Sequence, residues 1–177
     1  AHEVVGHDVL HVYDGLLDEL KDKVWEVLTG RRFRFLWAEY WSSRVDEAAS
    51  DIMAVLNMGP AYGIALIGYL RAHNSLDEPP ETPRLLRTVA QGDNPYPADL
   101  LRVYLAAETV RLLKANNKTP SAEALEEEAA TGMGEQMTID GEKIDLTEAR
   151  EVACVVARTI VRTPLDAAFQ HGLQRLV

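Results

Sequence analysis

The residues of this chain that could do chemistry lie in two short segments, HEVVGH at residues 2–7 and DEAASD at residues 46–51. A hydrolytic Zn²⁺ needs imidazole and carboxylate ligands, one position open to water, and a nearby carboxylate to accept the proton of that water. The ligand types are supplied by His2, His7 and Glu47. Glu3 supplies the base, so the sequence predicts a Zn²⁺ site.

The two histidines of HEVVGH are five positions apart, whereas the HExxH helix of zinc peptidases places them four apart on one face. On a regular α-helix five positions are about 500° of rotation, so His2 and His7 would point roughly 140° apart. A one-residue π-bulge brings both side chains back to one face, and such bulges often occur at functional sites. Gly6, a poor helix former, makes the distortion less costly. We therefore expect a π-bulge here.

A second register is available in HDVLH at residues 7–11, where His7 and His11 have the regular spacing and Asp8 occupies the position of the base. Aspartate is one methylene shorter than glutamate, and a general base must come within reach of the water. Asp8 is therefore expected to fall short. Both registers share His7 and Glu47; we favour the bulged one, with His11 as the alternate ligand.

These motifs resemble those of known zinc peptidases. HEVVGH resembles the HExxGH motif of dipeptidyl-peptidase III, whose zinc helix also carries the extra residue and whose third ligand lies in EECRAD. DEAASD is similar to that second motif and to the NEAxSD segment of thermolysin-like gluzincins. The resemblance, which covers only these two segments, implies a zincin-like peptidase in which Glu47 is a ligand and Asp51 supports a ligand histidine. The i, i+4 spacing puts Asp51 on the same helix face as Glu47.

A third segment, YPADLLR at residues 96–102, resembles the HPxxxxR segment that follows the third ligand in gluzincins of the CAAX-prenyl-protease type. Tyr96 stands where those proteins have histidine. A tyrosine hydroxyl can stabilise an oxyanion as a histidine can. Tyr96 is therefore a second candidate catalytic residue, beside Glu3.

Composition sets broad limits on the protein. With 177 residues and 47% apolar content, the chain is expected to form a single helical metallopeptidase-like domain over residues 1–177. Because the sequence begins inside the motif, we expect an N-terminal portion to be missing. A net charge of −10 argues against nucleic-acid partners. The single cysteine, Cys154, favours a cytoplasmic location, and no apolar run is long enough to span a membrane.

The hydrophobic periodicity predicts a mainly α fold with about six or seven helices and one small β-hairpin. The predicted helices cover residues 1–28, 37–56, from 60, 98–115, from 119, 147–162 and 164–177. Asp140-Gly141 predicts the hairpin turn. Residues 74–97 are expected to form a long loop with at most one helical turn at 84–90. The third helix is expected to be buried, Thr147 to cap its helix, and the site to lie between the first two helices.

The sequence predicts peptide-bond hydrolysis of a peptide or protein substrate, with Zn²⁺ on His2, His7 and Glu47 and with Glu3 activating the water. The amide substrate follows from the resemblance, since those families cleave amides. Two other interpretations remain open. One is an inactive, metal-binding relative, which the extra residue in the motif permits, and the other is a helical interaction module without metal.

Overall fold

The computed structural model describes residues 2–76, 85–90, 94–113, 119–132 and 134–162, together with residues 79, 81, 83, 92 and 164. Helices account for most of these residues. In chain order they are the π-helix His2–His7, α1 (Asp8–Val12), α2 (Leu16–Thr29), α3 (Phe35–Ser42), α4 (Val45–Met58), α5 (Pro60–Asn74), α6 (Asp99–Leu112), α7 (Thr119–Ala130) and α8 (Leu146–Arg162). The predicted mainly α fold is confirmed.

Three short strands form one sheet in the order β1 (Val89–Ala90), β2 (Gln136–Ile139) and β3 (Glu142–Asp145). The hairpin predicted at Asp140-Gly141 is confirmed, since both residues of the turn have the positive φ angles that Asp-Gly favours, 48° and 84°. β1 runs parallel to β2 and was not predicted; the described residues 85–90 form no helical turn, which agrees with the expectation of at most one. Pairing with a distant strand decides the conformation of this segment, and local sequence carries no sign of it.

The first predicted helix is interrupted. Gly15 has a left-handed φ of 79°, which ends one helical direction and lets α2 begin in another. The π-helix therefore packs mainly against α4, whereas α2 packs against α3 and α8. The prediction of one continuous helix over residues 1–28 is wrong, because a single glycine turns the chain.

The second predicted helix is also divided, at Ser43 and Arg44. Arg44 is buried, and its guanidinium lies 4.3 Å from the ring centroid of Tyr40 while donating to the carbonyl oxygens of Tyr40 and Gly92. These contacts hold the chain between α3 and α4. Because α4 is a separate helix, its first two turns, which carry residues 46–51, are oriented independently of α3.

α4 is the central helix of the described structure. It contacts the π-helix, α2, α5, α6 and α8, and its side chains Ile52 and Met53 have no exposed surface. α6, which lies against it, is buried along nearly its whole length. Close packing on several sides leaves a helix little freedom to shift. Side chains at the start of α4 are therefore held in fixed positions.

α5 begins at Pro60 as predicted, but it is buried on one face only. Leu66, Ile67 and Leu70 pack inward, whereas the side chains of Ile64 and Tyr69 are 67% and 61% exposed. The expectation of a fully buried third helix is therefore wrong. Some apolar residues of α5, such as Ile64 and Tyr69, line surface clefts instead of the core.

The C-terminal part of the described chain starts α8 with a different cap from the predicted one. The carboxylate oxygen Oδ1 of Asp145 accepts a hydrogen bond of 2.7 Å from the backbone N–H of Thr147, so Asp145 caps the helix, and the predicted Thr147 cap is wrong. The last predicted helix, 164–177, lies outside the described residues except for Pro164. Within the described part of the chain, no helix is long and apolar enough to cross a membrane.

Candidate metal centre

The π-helix brings the two histidines of HEVVGH together. The ring centroids of His2 and His7 are 4.9 Å apart with the rings nearly perpendicular. On a regular helix their spacing would have separated them, so the π conformation over residues 2–7 is what allows both to face α4. The predicted bulge is confirmed.

Gly6 is where the π-helix touches α4. A Cβ atom at this position would lie 2.6 Å from Cβ and 2.7 Å from Cα of Ser50. Such distances are shorter than any tolerated carbon contact, so only glycine lets the two helices approach this closely. Glycine at this position thus eases the helix distortion, as predicted, and is also required by the packing against Ser50.

We expect Gly6→Ala to destabilise the protein by about 1–3 kcal/mol, the usual cost of overpacking, and to weaken metal binding as well. The added methyl group would push the π-helix away from α4, and the histidines would move with it. Thermal unfolding and zinc titration of the purified variant measure both effects. Gly68→Ala is the matched control, because a Cβ there meets no atom within 4 Å. Equal behaviour of the two variants would contradict the packing role of Gly6.

Glu47 faces both histidines from the first turn of α4. Its Oε2 atom is 3.2 Å from Nε2 of His2, and its Oε1 atom is 3.4 Å from Nε2 of His7. Oε2 is buried and has no hydrogen-bond partner among the described residues. A buried carboxylate oxygen is costly unless a positive charge faces it, and either a proton on Nε2 of His2 or a metal ion could supply that charge.

The other ring nitrogen of each histidine faces a carboxylate. Nδ1 of His2 is 3.0 Å from Oδ1 of Asp51. Nδ1 of His7 is 2.9 Å from Oδ1 of Asp46. A carboxylate only accepts, so in neutral imidazoles these Nδ1 atoms carry the hydrogen and the Nε2 atoms carry lone pairs. Lone pairs of both histidines and of Glu47 then face one another, and a metal cation between them fits this donor set.

Asp51 is the centre of a buried network behind His2. Its carboxylate has no exposed surface and accepts from Nε and Nη2 of Arg102 at 2.7 and 2.8 Å and from the hydroxyl of Tyr62 at 2.6 Å. Burial raises the pKa of Asp51, but the charge and hydrogen bonds of Arg102 and the contact with His2 outweigh burial and lower it to about 2. Asp51 therefore stays ionised and can hold the His2 ring in one orientation.

His2 is surrounded by negative charge. Burial lowers its pKa, but the hydrogen bond to Asp51 and the charges of Asp51 and Glu47 raise it more, to about 9. The pocket around Nε2 thus favours a positive charge, whether a proton or a metal ion.

Three residues of this site escaped the sequence analysis: Asp46, Tyr62 and Arg102. Asp46 directly precedes Glu47 in DEAASD, so its place in that motif could have indicated that it contacts a histidine. Arg102 is the arginine of YPADLLR, a segment in which only Tyr96 was assigned a role from the sequence. Nothing in the sequence distinguishes Tyr62 from the other tyrosines, because its contact with Asp51 depends on how α5 packs against α4.

The competing register is built differently from the favoured one. His11 is 58% exposed, and its Nε2 atom is 3.1 Å from Oδ2 of Asp46 rather than near Glu47. His7, His11 and Asp46 also have possible ligand atoms within 4.8 Å of one another, with Nδ1 of His7 2.9 Å from Oδ1 of Asp46. Asp8 is exposed.

Single alanine variants separate the two registers. His2→Ala is expected to lose metal, since Nε2 of His2 faces Glu47. His11→Ala is expected to keep it, since His11 is exposed and its Nε2 atom pairs with Asp46 rather than with Glu47. Zinc affinity measured by competition with a chromophoric chelator checks both. The reverse pattern would establish the regular register, and metal retention by both variants would rule out both arrangements.

Glu3 and Tyr96 lie on one cleft next to the histidines. Glu3 is exposed, and its carboxylate lies within 4.8 Å of the possible ligand atoms of His2 and His7. The cleft has a volume of about 550 Å³, and Tyr96, 48% exposed, lines it. Glu3 and Tyr96 therefore border the same space, and Glu3 lies beside the possible ligand atoms of the histidines.

No protein-family model, curated protein or solved structure matches this chain. The class that fold and site define is therefore limited to a mainly α protein with a cluster of histidines and carboxylates that can hold a metal ion.

Proposed function

We propose that this protein is a zinc-dependent hydrolase that cleaves peptide bonds. The proposed Zn²⁺ ligands are His2, His7 and Glu47. The single observation that carries the proposal is the convergence of two Nε2 atoms on the two oxygens of Glu47, at 3.2 and 3.4 Å, with the buried Oε2 lacking a hydrogen-bond partner.

The donor set favours zinc over other divalent ions. Two imidazoles and one carboxylate, with an open side, are typical of catalytic zinc, whereas Mg²⁺ and Ca²⁺ prefer oxygen ligands alone. Each histidine also has a carboxylate on its second nitrogen, Asp51 for His2 and Asp46 for His7. Such outer partners fix the tautomer that a zinc ligand requires.

The residues around the proposed ligands have roles in hydrolysis. When bound, Zn²⁺ would polarise a carbonyl group and lower the pKa of a water molecule. Glu3 accepts the proton of the attacking water, because its carboxylate is exposed beside the histidines. Tyr96 donates a hydrogen bond to the carbonyl oxygen as that oxygen gains negative charge.

A peptide is the proposed substrate for two reasons. The resembled peptidases cleave amides, and the cleft of about 550 Å³ has the size of sites that bind small or extended ligands. Its walls combine apolar side chains, such as Leu66 and Leu70, with polar ones, such as Asn94. This mixture suits a peptide, which offers both apolar side chains and backbone groups.

Cleavage of unstructured peptides by zinc-loaded protein tests the proposal. A chelator should abolish the cleavage and added Zn²⁺ should restore it. Cleavage that the chelator leaves unchanged would contradict the proposal. Tight zinc binding without any cleavage would favour the inactive metal-binding relative.

A further inference from the structure

The cleft beside Glu3 carries two arginines on its walls, Arg87 and Arg102. The chain has a net charge of −10, yet Glu3 is the only acidic residue among the described residues that line this cleft. The side chain of Arg102 is only 8% exposed, and that of Arg87 is 45% exposed. A buried arginine at a cleft wall indicates a directed interaction rather than a solvated surface.

Each arginine is held from behind by a fully buried carboxylate. Arg102 uses Nε and Nη2 to bind Asp51, at 2.7 and 2.8 Å. Arg87 uses the same two nitrogens to bind Asp99, Nε at 3.3 Å and Nη2 at 3.0 Å. Neither guanidinium uses Nη1 in its ion pair with the carboxylate behind it, although the Tyr62 side chain also interacts with Arg102. Each Nη1 group carries two N–H donors.

The two guanidinium groups line the same cleft, and each is positioned in advance of any ligand. Asp99 and Arg102 are three positions apart on α6, so they lie on the same helix face. The backbone N–H of Arg87 also donates to Asp99 at 2.9 Å, and Asn74 donates to the same carboxylate at 2.6 Å. These contacts fix the segment of Arg87 against the start of α6. A ligand group would therefore meet donors that need little ordering.

We propose that Arg87 and Arg102 form the carboxylate-binding end of this cleft, so that the substrate is a peptide with a carboxylate near the scissile bond. Cleavage of such a peptide rests on the proposed function, whereas binding of the carboxylate to Arg87 and Arg102 does not. The carboxylate is either the C-terminus of the peptide or an acidic side chain. Guanidinium groups match the planar carboxylate better than they match a single carbonyl oxygen, and charge assistance strengthens each hydrogen bond.

Three small probes test the chemistry of this end of the cleft: N-acetylphenylalanine, its amide, and N-acetylglutamic acid α-amide. The phenyl group suits the apolar wall of Leu66, Tyr69 and Leu70. Binding is measured by NMR titration of the full chain, as purified and after zinc loading. At least one carboxylate probe should bind about tenfold or more tightly than the neutral amide. Preference for N-acetylphenylalanine identifies the C-terminus, and preference for the glutamic acid probe identifies a side chain.

Variants of Arg87 test where the carboxylate binds. Arg87→Gln should remove the preference, and Arg87→Lys, which keeps a positive charge beside Asp99, should retain part of it. Arg71→Gln is the matched control, since Arg71 pairs with Glu128 and does not line this cleft. Thermal unfolding verifies that each variant is folded.

Equal binding of all three probes by the wild type would overturn the proposal. A preference for carboxylate probes that survives Arg87→Gln would also overturn it, because the carboxylate would then bind elsewhere. An equal reduction of the preference by Arg71→Gln would overturn it too. The titration measures binding and not turnover. A protein that shows the preference but cleaves no peptide would contradict the proposed hydrolase and leave the carboxylate site standing.

Discussion

Glu3→Gln is expected to keep its zinc and to lose peptide cleavage by about 10²–10⁴-fold, the usual contribution of a general base. Glutamine has nearly the same shape as glutamate but cannot accept a proton at neutral pH. The Glu3 carboxylate lies within 4.8 Å of the possible ligand atoms of His2 and His7 and is exposed to the cleft. Cleavage rate and zinc content of the same preparation give both quantities.

Asp8→Asn is the matched control for Glu3→Gln. Asp8 is an exposed carboxylate in the same region, and the competing register would make it the base. If Glu3 is the base, Asp8→Asn should cleave peptides at the wild-type rate. Normal cleavage by Glu3→Gln together with loss of cleavage in Asp8→Asn would transfer the role of base to Asp8. Loss of zinc in Glu3→Gln would instead make Glu3 a ligand.

Glu47→Ala is expected to bind zinc more than about 100-fold more weakly than the wild type. Removing an outer partner of a ligand typically costs 10–100-fold in affinity, and Glu47 faces the Nε2 atoms of both His2 and His7 directly. The variant also loses the 3.2 Å ion pair of Oε2 with Nε2 of His2, so its stability without metal is measured beside its affinity. Competition with a chromophoric chelator measures the affinity, and thermal unfolding measures the stability.

Asp46→Asn provides the comparison for Glu47→Ala. Asp46 contacts the Nδ1 atom of His7 from outside the proposed ligand set, so its substitution should weaken zinc binding less than Glu47→Ala. A larger effect at Asp46 than at Glu47 would indicate that the metal lies between His7, His11 and Asp46. Unchanged affinity in Glu47→Ala would remove Glu47 from the site.

The sequence was most informative where geometry allowed few solutions. Two histidines five positions apart cannot share a metal on a regular helix, so the hypothesis of a shared metal predicted a π-bulge between them, and residues 2–7 form a π-helix. Asp140-Gly141 likewise predicted its hairpin, because few other residue pairs accept two positive φ angles.

The features that the sequence could not predict depend on contacts between distant segments. β1 exists because Val89 and Ala90 pair with β2. The ion pair of Asp51 with Arg102 joins α4 to α6, and no local sequence pattern predicts it. The division of the first two predicted helices, at Gly15 and at Arg44, follows from packing of the flanking helices against different neighbours.

Removing either member of the Asp51–Arg102 ion pair alone would leave a buried charge, at a cost of about 3–5 kcal/mol.

The most direct test of the metal centre is the zinc content of the purified wild-type protein, measured by elemental analysis after exhaustive dialysis. Two histidines and Glu47 converge on one point, so we expect about one zinc per chain, removed by a chelator and regained on adding Zn²⁺. A folded wild-type protein that takes up no zinc under these conditions would contradict the metal centre and favour the helical interaction module.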